Sequence, residues 1–130
     1  MPVKVTLIEG LKFKAEYDGV EIISGTKKRG GSYAGMSPGA LMTSALGLCT
    51  GMCVADYLDE EGIKHGGLEI TISNKYDRNP LRVVQFVLDI NLKAELEEEY
   101  IKGILEAANS CYIGNTMREC PDIKVNLRTE

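Results

Sequence analysis

Ser37-Pro38-Gly39-Ala40-Leu41-Met42-Thr43-Ser44-Ala45-Leu46-Gly47-Leu48-Cys49-Thr50-Gly51-Met52-Cys53-Val54-Ala55-Asp56-Tyr57-Leu58-Asp59-Glu60 contains the one long apolar stretch of the chain. A serine hydroxyl can accept an orphan amide at an N-cap, and proline fits the first helical position without losing a needed donor. The spacing therefore predicts a helix from Pro38 to about Glu60, closed by Gly62. Leu41, Ala45, Cys49, Cys53 and Tyr57 form one stripe of it, and Met42, Leu46, Leu48 and Met52 fill the other sides. A helix apolar all round is a buried one. Thr43, Ser44, Thr50 and Asp56 interrupt the run, which argues for a core helix rather than a membrane span. A chain of 130 residues cannot wrap such a helix alone. A second copy covering one side is the economical solution, with Gly47 and Gly51 allowing close approach.

Outward from this helix the hydrophobic period changes to two. Val3 to Glu9 and Lys12 to Tyr17 alternate as strands, and Asp18-Gly19 supplies the positive φ angles of a type I′ hairpin before the return strand Val20 to Ser24. Gly25 to Gly39 carries five glycines around Lys27-Lys28-Arg29 and reads as a loop; its pattern matches neither a P-loop nor a dinucleotide fingerprint. Beyond the helix, Leu68, Ile70 and Ile72 alternate, Asp77-Arg78-Asn79-Pro80 turns, and Val84, Phe86, Leu88, Ile90 and Leu92 return. Glu95 to Asn109 switches to helical period, with Glu97, Glu98 and Glu99 in the first turn where acids suit the dipole. Ile123, Val125 and Leu127 predict a last strand. The expected architecture is one α+β domain over residues 1–130 in the order βββαββαβ, with antiparallel sheets packed on two helices.

Composition narrows the function. The net charge of −4, with only Lys27-Lys28-Arg29 locally basic, argues against a nucleic-acid groove. The single histidine, His65, removes chemistry that needs two imidazoles and most catalytic zinc sites, and in its polar loop it reads as a surface side chain. The amino terminus lacks a signal-peptide pattern, which places the expected site of action in the cytoplasm, with no membrane partner. Four cysteines there are thiols, metal ligands or redox groups rather than a disulfide framework. Cys49 and Cys53 are one helical turn apart, and Cys111 and Cys120 flank residues 112–119. Neither spacing is a zinc knuckle, so no metal is expected. A buried thiol is inert unless a cation lowers its pKa, and Lys27, Lys28 and Arg29 lie on the loop entering the same helix. Redox chemistry and simple core packing both remain open on these residues; for Cys53 and Cys120 packing is the default.

The stretch Ser37 to Thr50, followed by Ala107-Ala108-Asn109-Ser110-Cys111-Tyr112-Ile113-Gly114-Asn115-Thr116-Met117, resembles the OsmC/Ohr family of thiol-dependent peroxidases. In that family a proline opens the central helix eleven residues before the peroxidatic cysteine, as Pro38 does before Cys49, and a second cysteine follows the second long helix, as Cys111 does. Arg29 stands nine residues before Pro38, where the OsmC branch carries its active-site arginine. The resemblance implies an intertwined α+β homodimer with sites at the interface. It further implies that Cys49 reduces an organic or hydrogen peroxide, Cys111 resolves the sulfenic acid, Arg29 stabilises the thiolate, and an external dithiol resets the site without metal or organic cofactor. Two positions depart from the pattern. Gly39 stands where the family has a glutamate that holds the arginine, and Tyr112 where a proline is common. The alternative expectation is a non-catalytic dimer that binds an apolar ligand at its interface.

Overall fold

The computed structural model describes residues 2–129. The chain forms two compact units, Met1–Ser44 and Ala45–Glu130, with the division falling inside the long helix.

The first unit is an antiparallel meander of β1 (Lys4–Glu9), β2 (Leu11–Tyr17) and β3 (Val20–Thr26), in the order β1-β2-β3. Asp18 (φ 49) and Gly19 (φ 80) both adopt the left-handed conformation that a type I′ turn requires. The register sets Val5 opposite Ala15, Leu7 opposite Phe13 and Ala15 opposite Ile22, so the apolar residues share one face while Lys14, Glu16 and Glu21 form ion pairs on the other. The glycine-rich segment after β3 is tied down rather than loose. Ser24 Oγ donates to the Met36 carbonyl at 2.6 Å, Ala34 N–H donates to Gly25 at 2.9 Å, and Thr26 bridges to Tyr33. Arg29 is exposed on the turn that opens this segment.

Helix α1 spans Pro38–Glu60. Its start follows the sequence: the Ser37 side chain accepts the Ala40 N–H at 3.2 Å and the Ser37 carbonyl accepts that of Leu41. Its end does too. Gly62, at φ 64, reverses the chain so that Ile63 N–H reaches Leu58 O and Gly62 N–H reaches Asp59 O, satisfying two orphan carbonyls as in a Schellman motif.

In the second unit β4 (Leu68–Arg78) pairs with β5 (Leu81–Leu92), followed by α2 (Glu98–Ala108) and α3 (Tyr112–Arg118). Val54, Leu58 and Ile104 form the buried centre, against which Tyr57, Ile63, Leu68, Ile90 and Leu92 pack. Glu98 and Glu99 occupy the first turn of α2 as expected, although the helix begins three residues later than the periodicity indicated.

Two expectations are corrected. The order among the described residues is βββαββαα, because residues 121–129 have no regular structure and α3 is a helix that the sequence reading missed. A strand exists only through its pairing partner; Ile123, Val125 and Leu127 alternate correctly but are each more than four-fifths exposed, with nothing paired to them. Nor is α1 buried on every side. Leu46, Thr50, Val54 and Leu58 face inward, whereas Leu48 and Met52 are about 70% exposed, since one hairpin and α2 can cover only one side of a helix. By length and composition α1 would suffice to cross a membrane, but its inward face is packed as in a core helix.

Candidate active site

Three of the four cysteines meet in the second unit. Cys49 and Cys53 share a face of α1, as their four-residue spacing dictates. Cys111 arrives from the far end of α2, where it caps α3: its sulfur accepts the Gly114 N–H at 3.2 Å. Thr50, only 2% exposed, donates its hydroxyl to the same sulfur at 3.5 Å. Cys49 stands near enough to both other thiols to influence them. Cys111 itself is 1% exposed.

The electrostatics separate Cys111 from Cys53. Burial pushes the Cys111 thiol up, but hydrogen bonds from the Thr50 hydroxyl, the Gly114 amide, the Cys49 thiol and the Ile113 amide outweigh it and hold Cys111 below the ordinary cysteine value. Cys53 is raised, first by burial and then by the Cys49 and Cys111 sulfurs beside it. Of these two thiols Cys111 is the more readily ionised.

This difference has a consequence for stability. Between its folded pKa and the ordinary value of about 8.5, Cys111 is ionised in the folded chain and protonated in the unfolded one. The unfolded state then binds more protons, so stability rises with pH. The excess stability of the wild-type chain over Cys111→Ala is expected to be fully present above about pH 8.5 and to be lost as the pH drops through the folded pKa. Denaturant titrations under reducing conditions check it; a pH-independent difference would contradict the lowered value. Cys53 contributes with the opposite sign, and only above about pH 8.5.

Beside Cys111 lies a cleft of about 520 Å³, floored by Leu46 and Thr50 of α1 and walled by β5, α2 and α3. Its lining is apolar for the most part, and Arg118 is the one charged side chain in it. Arg118 donates from Nη1 to the Asn109 carbonyl at 3.3 Å and from Nη2 to Asn109 Oδ1 at 3.2 Å. Among the described residues no group of three or more His, Cys, Asp or Glu side chains is arranged to hold a metal ion.

Of the residues singled out from sequence, Cys49 and Cys111 come together. Arg29 belongs to the first unit, exposed and with no ion pair among those formed by the described residues. His65 is exposed, as expected. Cys120, expected to pack, is exposed instead; Cys53 is half-buried in the thiol cluster. Thr50, Gly114 and Arg118 were missed. Thr50 left a signal, as a hydroxyl inside an otherwise apolar helix, whereas Arg118 left none.

A family model described as OsmC-like protein matches residues 29–126, most of the chain. The chain belongs to the OsmC-like family. Among solved structures it resembles the OsmC like protein of Mycoplasma pneumoniae, with TM-score 0.78 and 18% identity over 92% of this chain and 87% of that one. A putative osmotic stress induced and detoxification response protein of Psychrobacter arcticus 273-4 superposes with TM-score 0.76 at 21% identity, over 88% and 85% of the two chains. The organic hydroperoxide resistance protein OhrB of Bacillus subtilis gives TM-score 0.61 at 21% identity over 98% of both. No curated protein sequence matches the chain significantly. At these identities the structural likeness carries the fold: mixed α+β with antiparallel sheets and helices.

Proposed function

We propose that the protein is a homodimeric cytoplasmic thiol peroxidase, acting on hydroperoxides through Cys49 and Cys111. The observation that carries this reading is the gathering of Cys49 and Cys111 in the second unit, with Cys111 lining an apolar cleft. The Cys49 thiolate attacks the outer oxygen of the hydroperoxide, the O–O bond breaks, and the alcohol or water departs with a proton while sulfur becomes the sulfenic acid. Cys111 then attacks that sulfur, the S–S bond forms, and the S–O bond breaks to release water. An external dithiol reduces the disulfide by exchange. The family resemblance assigns the thiolate and the departing oxygen to Arg29, a role suited to a guanidinium.

Dimerisation is supported by the surface the chain leaves open. The described residues expose 10485 Å². Two separately compact units of 44 and 86 residues would expose only about 8,000 Å² together. The excess is rich in apolar side chains, including Leu48 and Met52 on α1 and Val5, Leu7 and Phe13 on the meander. A second copy covers them.

The test is turnover of cumene hydroperoxide with dithiothreitol. Arg29→Ala is expected to slow it at least tenfold, through loss of the cation that steadies the departing oxygen, without loss of fold. Gly39→Glu is expected to accelerate it. Open space surrounds the position where a Gly39 Cβ would stand, and a carboxylate in the first turn of a helix is favoured by the dipole, so the substitution is tolerated. No turnover in any of the three proteins would sink the reading.

A further inference from the structure

We propose that Arg118, on α3, is the positioning residue of the resolving half-reaction, its guanidinium holding the Cys111 sulfur as the anion that closes the disulfide. The inference rests on the reading above that Cys49 carries the sulfenic acid.

The geometry is specific. A methyl group added at Gly114 would stand 3.3 Å from Arg118 Nη1 and 3.3 Å from Cys111 Sγ. The two atoms are therefore no more than twice that distance, 6.6 Å, apart. Gly114 is buried, and having no side chain it leaves the space between them open. The cation is also held in place. Both of its Nη atoms are pinned by Asn109 at the end of α2, through neutral acceptors that leave the positive charge uncompensated. None of the ion pairs among the described residues includes Arg118. The groups facing Cys111 are few: the thiols of Cys49 and Cys53 from α1, Arg118 from α3, and no charged side chain from the β5 and α2 walls of the cleft.

The chemistry needs such a group. Closure requires an electron pair on Cys111: it attacks the Cys49 sulfur, the S–O bond breaks, and hydroxide leaves to be protonated to water. Thr50 and Gly114 donate hydrogen bonds to the anion, but they are neutral. Cys111 is buried whereas Arg118 is exposed, and a positive charge close to a buried thiol favours its ionised form. Arg118 supplies that charge from the last turn of the short helix that the cysteine caps.

The test compares Arg118→Gln with Arg118→Lys in the reduced, full-length protein, following Cys111 by ¹³Cβ NMR across pH. Arg118→Gln is expected to raise the Cys111 midpoint by about one unit, whereas Arg118→Lys, which keeps the charge, stays closer to wild type. Equal shifts in both variants would mean that the clamp on Asn109 matters and not the charge; no shift in either would mean that Arg118 does not act on Cys111. Both overturn the proposal. In single turnover with cumene hydroperoxide at neutral pH, Arg118→Gln closes the disulfide about tenfold more slowly, following the loss of thiolate, so that dimedone traps more Cys49 sulfenic acid. The titration uses no peroxide. A wild-type chain that never forms sulfenic acid therefore overturns the peroxidase reading alone, while the titration still decides whether Arg118 holds Cys111.

Discussion

Cys49→Ser is expected to abolish hydroperoxide turnover, lowering the rate by about a thousandfold or more, since a serine hydroxyl cannot supply the polarizable anion that attacks oxygen. Cys111→Ser is expected to behave differently. It retains the first chemical step, consumes about one peroxide per chain, and stops at a Cys49 sulfenic acid that dimedone captures. The distinction follows from position. Cys49 is the half-buried member of the pair, whereas Cys111 has only 1% of its surface exposed. Stopped-flow consumption of cumene hydroperoxide with mass mapping of the trapped adduct separates the two. The reverse pattern, with the adduct on Cys111 in a Cys49→Ser chain, would exchange the roles of the two sulfurs. The lowered pKa of Cys111 alone does not select between attack and resolution, since both steps need a thiolate.

Leu48→Asp is expected to destroy the assembly. Leu48 is 68% exposed on α1 next to Met52, at 72%, so truncating it costs an isolated chain little. In a two-fold dimer each substitution is felt twice, and each loses about 1.5–3 kcal/mol of apolar burial besides burying a carboxylate. The association constant then falls by about a thousandfold or more, the equivalent of about 4 kcal/mol. In the proposed dimer the second copy covers the exposed apolar side chains, so the dissociated chain is expected to lose its fold as well. Sedimentation combined with circular dichroism reads both effects. A wild-type chain that sediments as a folded 14.2 kDa monomer would remove the basis for an interface.

What could be read from the sequence was local. Ser37, Pro38 and Gly62 bound α1 because caps act within a turn of the residues that carry them, and Asp18-Gly19 fixed its hairpin because positive φ is a property of those residues. The long alternation of β5 and the helical period of α2 were legible for the same reason. The last strand was misread because alternation states which face is apolar but not whether an edge is there to pair with. Helix α3 has seven residues, too few to show a period, and its cap is a cysteine rather than one of the usual capping residues. The site divides in the same way. The shared face of Cys49 and Cys53 follows from helix geometry, but the approach of Cys111 to Thr50, 61 residues earlier, is a tertiary contact. So is the seat of Arg118, which needed the clamp on Asn109 and the absence of a side chain at Gly114 to become visible.

The most direct measurement is a count of free thiols before and after one equivalent of cumene hydroperoxide per chain, followed by peptide mapping. All four cysteines are free at the start. The expected result is the loss of about two thiols per chain and a peptide pair joined through Cys49 and Cys111. Four thiols still free after the peroxide is added, with the dimer intact, would contradict it and leave a dimer that binds an apolar ligand without turnover.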